Sequence, residues 1–139
     1  MTKRGRDAAA INALRPGGPD PQYVGFFDCF NQQLFYEAHE VLEPLWLAQR
    51  RDPDGAFYKG LIQLAGAFVH LQKGRRQPAA SLLRLAQANL QLYPAVHHQL
   101  ELPVVLGLIR DWQGKLEAAG LARNPYLTSP APKLHLRQS

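Results

Sequence analysis

The segment HEVLE at residues 39–43 carries residue types that metal-dependent hydrolases use. Zinc proteases have a helical motif in which two histidines four residues apart bind the metal and the intervening glutamate acts as the general base. Here Glu43 occupies the position of the second histidine, so the usual histidine pair is missing. His39, Glu43 and one residue from another helix could still supply three ligands, the number found at catalytic zinc. The segment supports the hypothesis of a metal-dependent hydrolase that uses His39 and Glu43, although no motif in the sequence requires a cofactor.

A second group of polar side chains lies further along the chain, in a segment that is otherwise strongly apolar. At about 100° per residue, Lys59, Gln63 and His70 fall within roughly 40° of one another on a helix. Apolar side chains occupy the other directions around this helix, as is typical of a buried helix. Buried polar groups are costly when unpaired, so this stripe needs partners if it faces a neighbouring helix.

Together the two segments predict one polar cluster, for which three interpretations remain open. Its members are Tyr36, His39, Glu40, Glu43, Trp46, Lys59, Gln63 and His70. The cluster could be a hydrogen-bonded network that holds two helices together. It could instead bind an unidentified small molecule or anion, with Lys59 as the charge and Gln63 as the orienting amide. These two interpretations are favoured over the hydrolase, because the sequence shows no nucleophile and no complete set of metal ligands.

The elements that must position this cluster are helices. Apolar periodicity and capping signals predict helices over about 23–33, 34–50, 53–73, 78–93 and 103–120, and no segment shows the alternation of a strand. Asp52-Pro53 is a strong start signal, and Gly74 is suited to a left-handed helix end. The predicted fold is all-α, a single-domain bundle of about five helices. Residues 1–20 form a basic arm in which Asp7 could cap a short helix, residues 21–120 form the bundle, and residues 121–139 form an extended basic tail.

The second and third helices are predicted to form an antiparallel hairpin around a break near Asp52. Pairing positions at equal distances from the break brings Glu43 within about 3 Å, along the axis, of Lys59. The same register predicts a contact between His39 and Gln63. Pro44 should kink or split the second helix, because a proline in a helix interior removes a backbone donor and clashes with the preceding turn.

Composition and charge exclude several classes of protein. The chain has 139 residues, 46% of them hydrophobic, so it can build one core. Its single cysteine, Cys29, rules out an internal disulfide framework, and its apolar runs are too short to span a membrane. The net charge of +5 comes from residues 1–15 and 121–139. We therefore expect a cytoplasmic protein with at most weak nucleic-acid contact through its basic tails; nothing in the sequence sets its oligomeric state.

Two further histidines, His97 and His98, follow Pro94. A proline ends a helix, so the pair is predicted to lie in a loop. Histidines in such a loop are interpreted as surface residues and not as metal ligands.

The motifs of the two predicted helices resemble a known family of small all-helical proteins, the domain of unknown function numbered 309. The matching residues are Phe30-Asn31, the segment FYEAHE at 35–40, Leu42-Glu43, Trp46, the segment FYKGLIQLA at 57–65, His70 and Gly74. The resemblance covers roughly residues 20–95. It implies a helical bundle and supplies no established reaction. The chain departs from the family pattern at Pro44 and in the turn at residues 75–78.

Overall fold

The computed structural model describes residues 20–118 and 124–138. Within these residues the chain forms five α-helices and one short β-hairpin with two residues in each strand. The helices are α1 (Pro21–Asn31), α2 (Phe35–Gln49), α3 (Gly55–Gln72), α4 (Arg76–Leu90) and α5 (Leu102–Ala118). The hairpin strands are β1 (Val96–His97) and β2 (Leu100–Glu101), and a 3₁₀ turn covers Pro125–Leu127. The all-α bundle is therefore confirmed, whereas the short helix expected after Asp7 and the helix end expected at Gly120 lie outside the described residues.

Helix α1 begins two residues earlier than its apolar pattern predicts because Asp20 caps it. The Asp20 carboxylate accepts a hydrogen bond from the backbone N–H of Gln22 at 2.7 Å, and Pro21 occupies the first turn. The helix packs a set of aromatic rings into the core. Its buried residues are Tyr23, Phe26, Phe27, Cys29 and Phe30.

Helix α2 continues through Pro44, so the predicted split at this proline is wrong. Both Pro44 and Glu40 are exposed. Glu40 is the residue whose backbone carbonyl loses its intrahelical donor to the proline ring. Because this turn of the helix faces solvent, water can solvate that carbonyl, and the helix tolerates the proline without a break.

Helix α3 lies at the centre of the bundle. It packs against α2 and α4, while α2 also packs on α1 and α4 on α5. At Gly60 the helices α3 and α4 approach closely, since an added Cβ would lie 2.8 Å from Cγ of Leu90. The helix ends at Gln72, and Gly74 follows it in the left-handed conformation predicted for it, with a φ of 71°. The N–H of Arg75 donates to the carbonyl of His70 at 2.8 Å. The contact between α2 and α3 agrees with the predicted hairpin, and their antiparallel orientation stays a prediction.

The hairpin and the C-terminal segment were not expected from the sequence as regular structure. Strands β1 and β2 pair antiparallel, and Leu136 bridges to Leu100 at the edge of β2. Leu134 is buried, and Asn31 of α1 brackets its backbone with two hydrogen bonds of 2.7 Å. The segment 130–138 therefore lies along the bundle. No helix in the described ranges is both long and apolar enough to cross a bilayer.

Candidate functional site

The histidine of the predicted cluster pairs within its own helix. Nε2 of His39 lies 3.1 Å from Oε2 of Glu43, one helical turn away. The ring of Tyr36 lies 5.8 Å from that of His39, and Tyr36 is half exposed. The side chains of His39 and Glu43 are 30% and 46% exposed, so this is a solvated pair on the outer side of α2.

Lys59 has a different partner from the one predicted. Its Nζ lies 4.2 Å from the centroid of the Trp46 ring, a cation–π geometry between α3 and α2. Within the described residues, Glu43 and Lys59 form no ion pair, so the predicted Glu43–Lys59 pair is wrong. The height estimate brought Lys59 to the correct region of α2, but helical rotation directs it to the aromatic ring.

Gln63 faces α4 and not α2. Its Oε1 accepts a hydrogen bond of 2.7 Å from Nδ2 of Asn89, which replaces the predicted contact with His39. Gln63 is the buried polar residue of the described core, and its pairing satisfies its carbonyl. Two further members of the predicted cluster lie elsewhere: Glu40 is exposed, and His70 stands near the end of α3 with a buried Nδ1 that has no partner among the described residues.

A tighter group of chemistry-bearing residues forms where the hairpin meets the start of α3. Nε2 of His97 lies 2.7 Å from Oδ1 of Asp54, and Nε2 of His98 lies 2.6 Å from Oδ2. The potential ligand atoms of all three lie within 4.8 Å of one another. We call these three residues the Asp54 cluster. His98 lies at the surface, as predicted, and both histidines have a carboxylate partner that the sequence analysis did not identify.

The backbone of the hairpin turn directs both histidines to the same carboxylate. His98 and Gln99 form the two-residue loop between β1 and β2 with φ values of 47° and 64°. A two-residue hairpin loop with both φ values positive is normally built from Asn and Gly, so histidine and glutamine carry strain here. Two outside groups hold the turn: the hydroxyl of Tyr23 donates to the carbonyl of His98 at 2.8 Å, and the N–H of Arg137 donates to that of Gln99 at 2.6 Å.

Aromatic rings surround the two imidazoles. The ring of His98 is parallel to that of Tyr58 at 6.2 Å, and the ring of His97 lies 4.8 Å from those of Phe57 and Tyr93. Burial, reinforced by the nearby acidic residues, raises the pKa of Tyr58 to about 12. Burial also raises the pKa of Tyr23, so both phenols keep their protons at physiological pH.

The carboxylate of Asp54 is ionised in this setting. Burial alone would raise its pKa, but the hydrogen bonds with His98 and His97 outweigh burial and hold the pKa below its usual value. The side chains of Asp54 and His97 are 23% and 22% exposed, and that of His98 is 42% exposed. The cluster therefore contains an ionised carboxylate, is half-buried and is open to solvent on the His98 side.

This arrangement offers one carboxylate and two imidazoles, a set that binds transition metals. His97 and His98 lie 43 and 44 residues after Asp54 in the chain, so no local sequence motif predicts the cluster. One available signal was the histidine pair itself, which is set between a helix-ending proline and the start of α5.

Comparison with known proteins gives a family match for part of the chain and assigns no chemistry. No curated protein and no solved structure matches the chain. A family model matches residues 23–82, a segment that contains Asp54 and ends before His97 and His98. Its description, Domain of unknown function (DUF309), assigns no function to the family. The match confirms the resemblance over these residues.

Proposed function

We propose that the protein binds one divalent transition-metal ion through Asp54, His97 and His98. The observation that carries this proposal is the convergence of one ligand atom from each residue within 4.8 Å. A common metal partner would account for a carboxylate at the start of α3 and two imidazoles of the hairpin bringing their ligand atoms together at a half-buried position. The metal would replace the two imidazole–carboxylate hydrogen bonds as that partner.

The present distances are compatible with a metal after a small adjustment. Zinc lies about 2.0–2.2 Å from histidine nitrogen and carboxylate oxygen in tetrahedral sites, which separates neighbouring ligand atoms by about 3.4 Å. The nitrogen–oxygen pairs now lie at 2.6 and 2.7 Å. Each pair must therefore open by less than about 1 Å. Side chains with this degree of exposure can make that change by small rotations of their χ angles.

The ligand types and their number define the class of site. Two imidazoles with one carboxylate suit zinc, iron, cobalt and nickel better than calcium or magnesium, which prefer oxygen. Three protein ligands leave at least one coordination position for water, as at catalytic zinc. The hypothesis of a metal-dependent hydrolase thus moves from His39 and Glu43, which provide two ligands on one helix, to the Asp54 cluster.

The contacts of α2 and α3 support a structural role for the residues that sequence analysis emphasised. Gln63 and Asn89 satisfy each other across the α3–α4 interface, and Lys59 caps the Trp46 ring. These contacts join helices and present no converging set of unpaired groups. They favour the helix-locking network over a small-ligand or anion site at this position.

Metal titration of the full chain tests the proposal. Isothermal titration calorimetry with Zn²⁺, and absorption spectroscopy with Co²⁺, should show one bound ion per chain and a Co²⁺ spectrum of low coordination number. Replacing His97 or Asp54 with alanine should weaken binding by at least about 100-fold, since a ligand is lost. His39→Ala is the matched control because it removes a paired histidine outside the cluster, and its affinity should equal that of the wild type. Absent binding, or binding that survives both ligand substitutions, would overturn the proposal.

A further inference from the structure

Asp54 stands at the start of α3 without performing the usual task of an aspartate in that position. An N-cap aspartate normally accepts a hydrogen bond from the backbone N–H two or three residues ahead. Asp54 makes no such bond, and both of its carboxylate oxygens lie against histidines instead. Its backbone is helical, with φ of −86° and ψ of 0°, where N-cap residues typically have an extended conformation.

Tyr93, which lies three residues beyond the end of α4, satisfies the helix start in its place. The hydroxyl of Tyr93 accepts a hydrogen bond from the N–H of Phe57 at 2.9 Å. The same hydroxyl donates to the carbonyl of Pro53 at 2.7 Å. One phenol therefore joins the residue before Asp54 to the third residue after it, and it occupies the N–H that an N-cap aspartate would take.

We infer that Tyr93 is a positioning residue, whose hydroxyl caps α3 and thereby frees the Asp54 carboxylate for His97 and His98. The effect of this Tyr93 cap on metal affinity rests on the proposed function, whereas its effect on the hydrogen bonds of Asp54 does not. The ring of Tyr93 also lies 4.8 Å from that of His97, so the same side chain contacts a histidine of the cluster and the backbone on either side of Asp54. The carboxylate of a capping aspartate faces the N–H groups of its own first turn, whereas both oxygens of Asp54 face the histidines of the hairpin.

Loss of the hydroxyl should redirect the carboxylate. In Tyr93→Phe the Phe57 N–H has no acceptor, and an unpaired donor near the protein interior is costly. Asp54 occupies the N-cap position, from which an aspartate side chain is suited to accept from that N–H. With the bridge between Pro53 and Phe57 gone, its backbone can return to the extended N-cap conformation. The carboxylate then leaves the histidines and caps the helix.

Nuclear magnetic resonance of the metal-free protein tests this exchange directly. In the wild type, the Nε2–H protons of His97 and His98 should exchange slowly with water, so that their resonances are observable. No scalar coupling across a hydrogen bond should join ¹⁵N of Phe57 to ¹³Cγ of Asp54. In Tyr93→Phe those histidine resonances should be lost and the coupling should be present. Tyr126→Phe is the matched control, since its hydroxyl bonds to Gln33 and Gln72 away from the cluster. It should retain the wild-type pattern.

Zinc affinity gives the second readout. Tyr93→Phe should bind Zn²⁺ about 10-fold more weakly than the wild type or Tyr126→Phe, the loss expected when a group that orients a ligand is removed. If the wild type binds no zinc but the resonances behave as stated, the proposed function fails and the positioning role stands. Unchanged histidine resonances with unchanged zinc affinity in Tyr93→Phe would overturn the positioning role. Should that variant not fold, a Phe57–Asp54 coupling in the wild type would overturn the role by itself, and its absence would support it.

Discussion

Two imidazole–carboxylate sites in this protein differ in how the chain builds them. His39 and Glu43 lie one turn apart on α2, so their contact follows from helix geometry alone. Asp54, His97 and His98 come from the start of α3 and from a hairpin beyond α4. The first site exists wherever α2 is helical. The second exists only when the whole bundle has folded, which makes it sensitive to tertiary structure.

The two sites also differ in contact and exposure. The nitrogen–oxygen distance is 3.1 Å in the α2 pair and 2.6–2.7 Å in the Asp54 cluster. Glu43 is 46% exposed and accepts from one imidazole, whereas Asp54 is 23% exposed and contacts two. Short, charge-assisted hydrogen bonds shielded from solvent are the stronger ones. A motif that is conspicuous in the sequence is thus the weaker site in the structure.

The largest expected effect is on stability at the Asp54 cluster. Asp54→Ala removes a charged acceptor from two imidazoles and should lower the free energy of unfolding by about 2 kcal/mol. Glu43→Ala breaks a solvated pair and should cost less than about 1 kcal/mol. Urea unfolding at pH 7 with chelator present measures both without any contribution from metal. Equal losses in the two variants would remove the distinction between the sites.

The helices could be predicted from the sequence because their signals are local. Periodic apolar residues locate α3 and α5, and Gly74 has the left-handed conformation after α3 that its position indicates. Pro44 was misleading because the penalty for a helical proline depends on exposure, which the local sequence does not report. The hairpin was missed because two-residue strands are too short to alternate, and Leu100 obtains its second partner from Leu136 in the C-terminal segment.

The site was less predictable than the fold for a related reason. A projection of one helix fixes angles within that helix, so the nearness of His39 to Glu43 could be read directly. The partner of Lys59 depends on the rotation of α3 against α2, and that of Gln63 on the rotation of α3 against α4. Neither rotation is set by residue spacing. The Asp54 cluster depends in addition on a strained turn, for which the residues at 98 and 99 give no strong signal.

An intermediate effect is expected at the cross-helix amide pair. Gln63→Ala leaves the amide of Asn89 without its partner and should cost about 1 kcal/mol. The double variant with Asn89→Ala should cost less than the sum of the single variants, because the second substitution removes the orphaned group. Thermal and urea unfolding of the four proteins in this cycle measure the coupling. If the two single losses add up to the loss in the double variant, the side chains of Gln63 and Asn89 do not stabilise each other.

The smallest effect is expected at His70, which extends the comparison to a histidine with no carboxylate. Burial of its ring, and then the charges of Arg75 and Lys73, lower its pKa. Protonation is therefore disfavoured in the folded state, and the unfolded chain binds more protons as the pH falls below about 6.5. This contribution to stability is complete above that pH and is lost on acidification towards the lowered folded pKa. Between pH 7.5 and 5.5, the free energy of unfolding should therefore fall less in His70→Gln than in the wild type, and the two falls should differ by less than about 1 kcal/mol.

Arg75→Gln should move the NMR titration of His70 back towards higher pH. A titration that does not move would remove Arg75 as a cause of the lowered pKa.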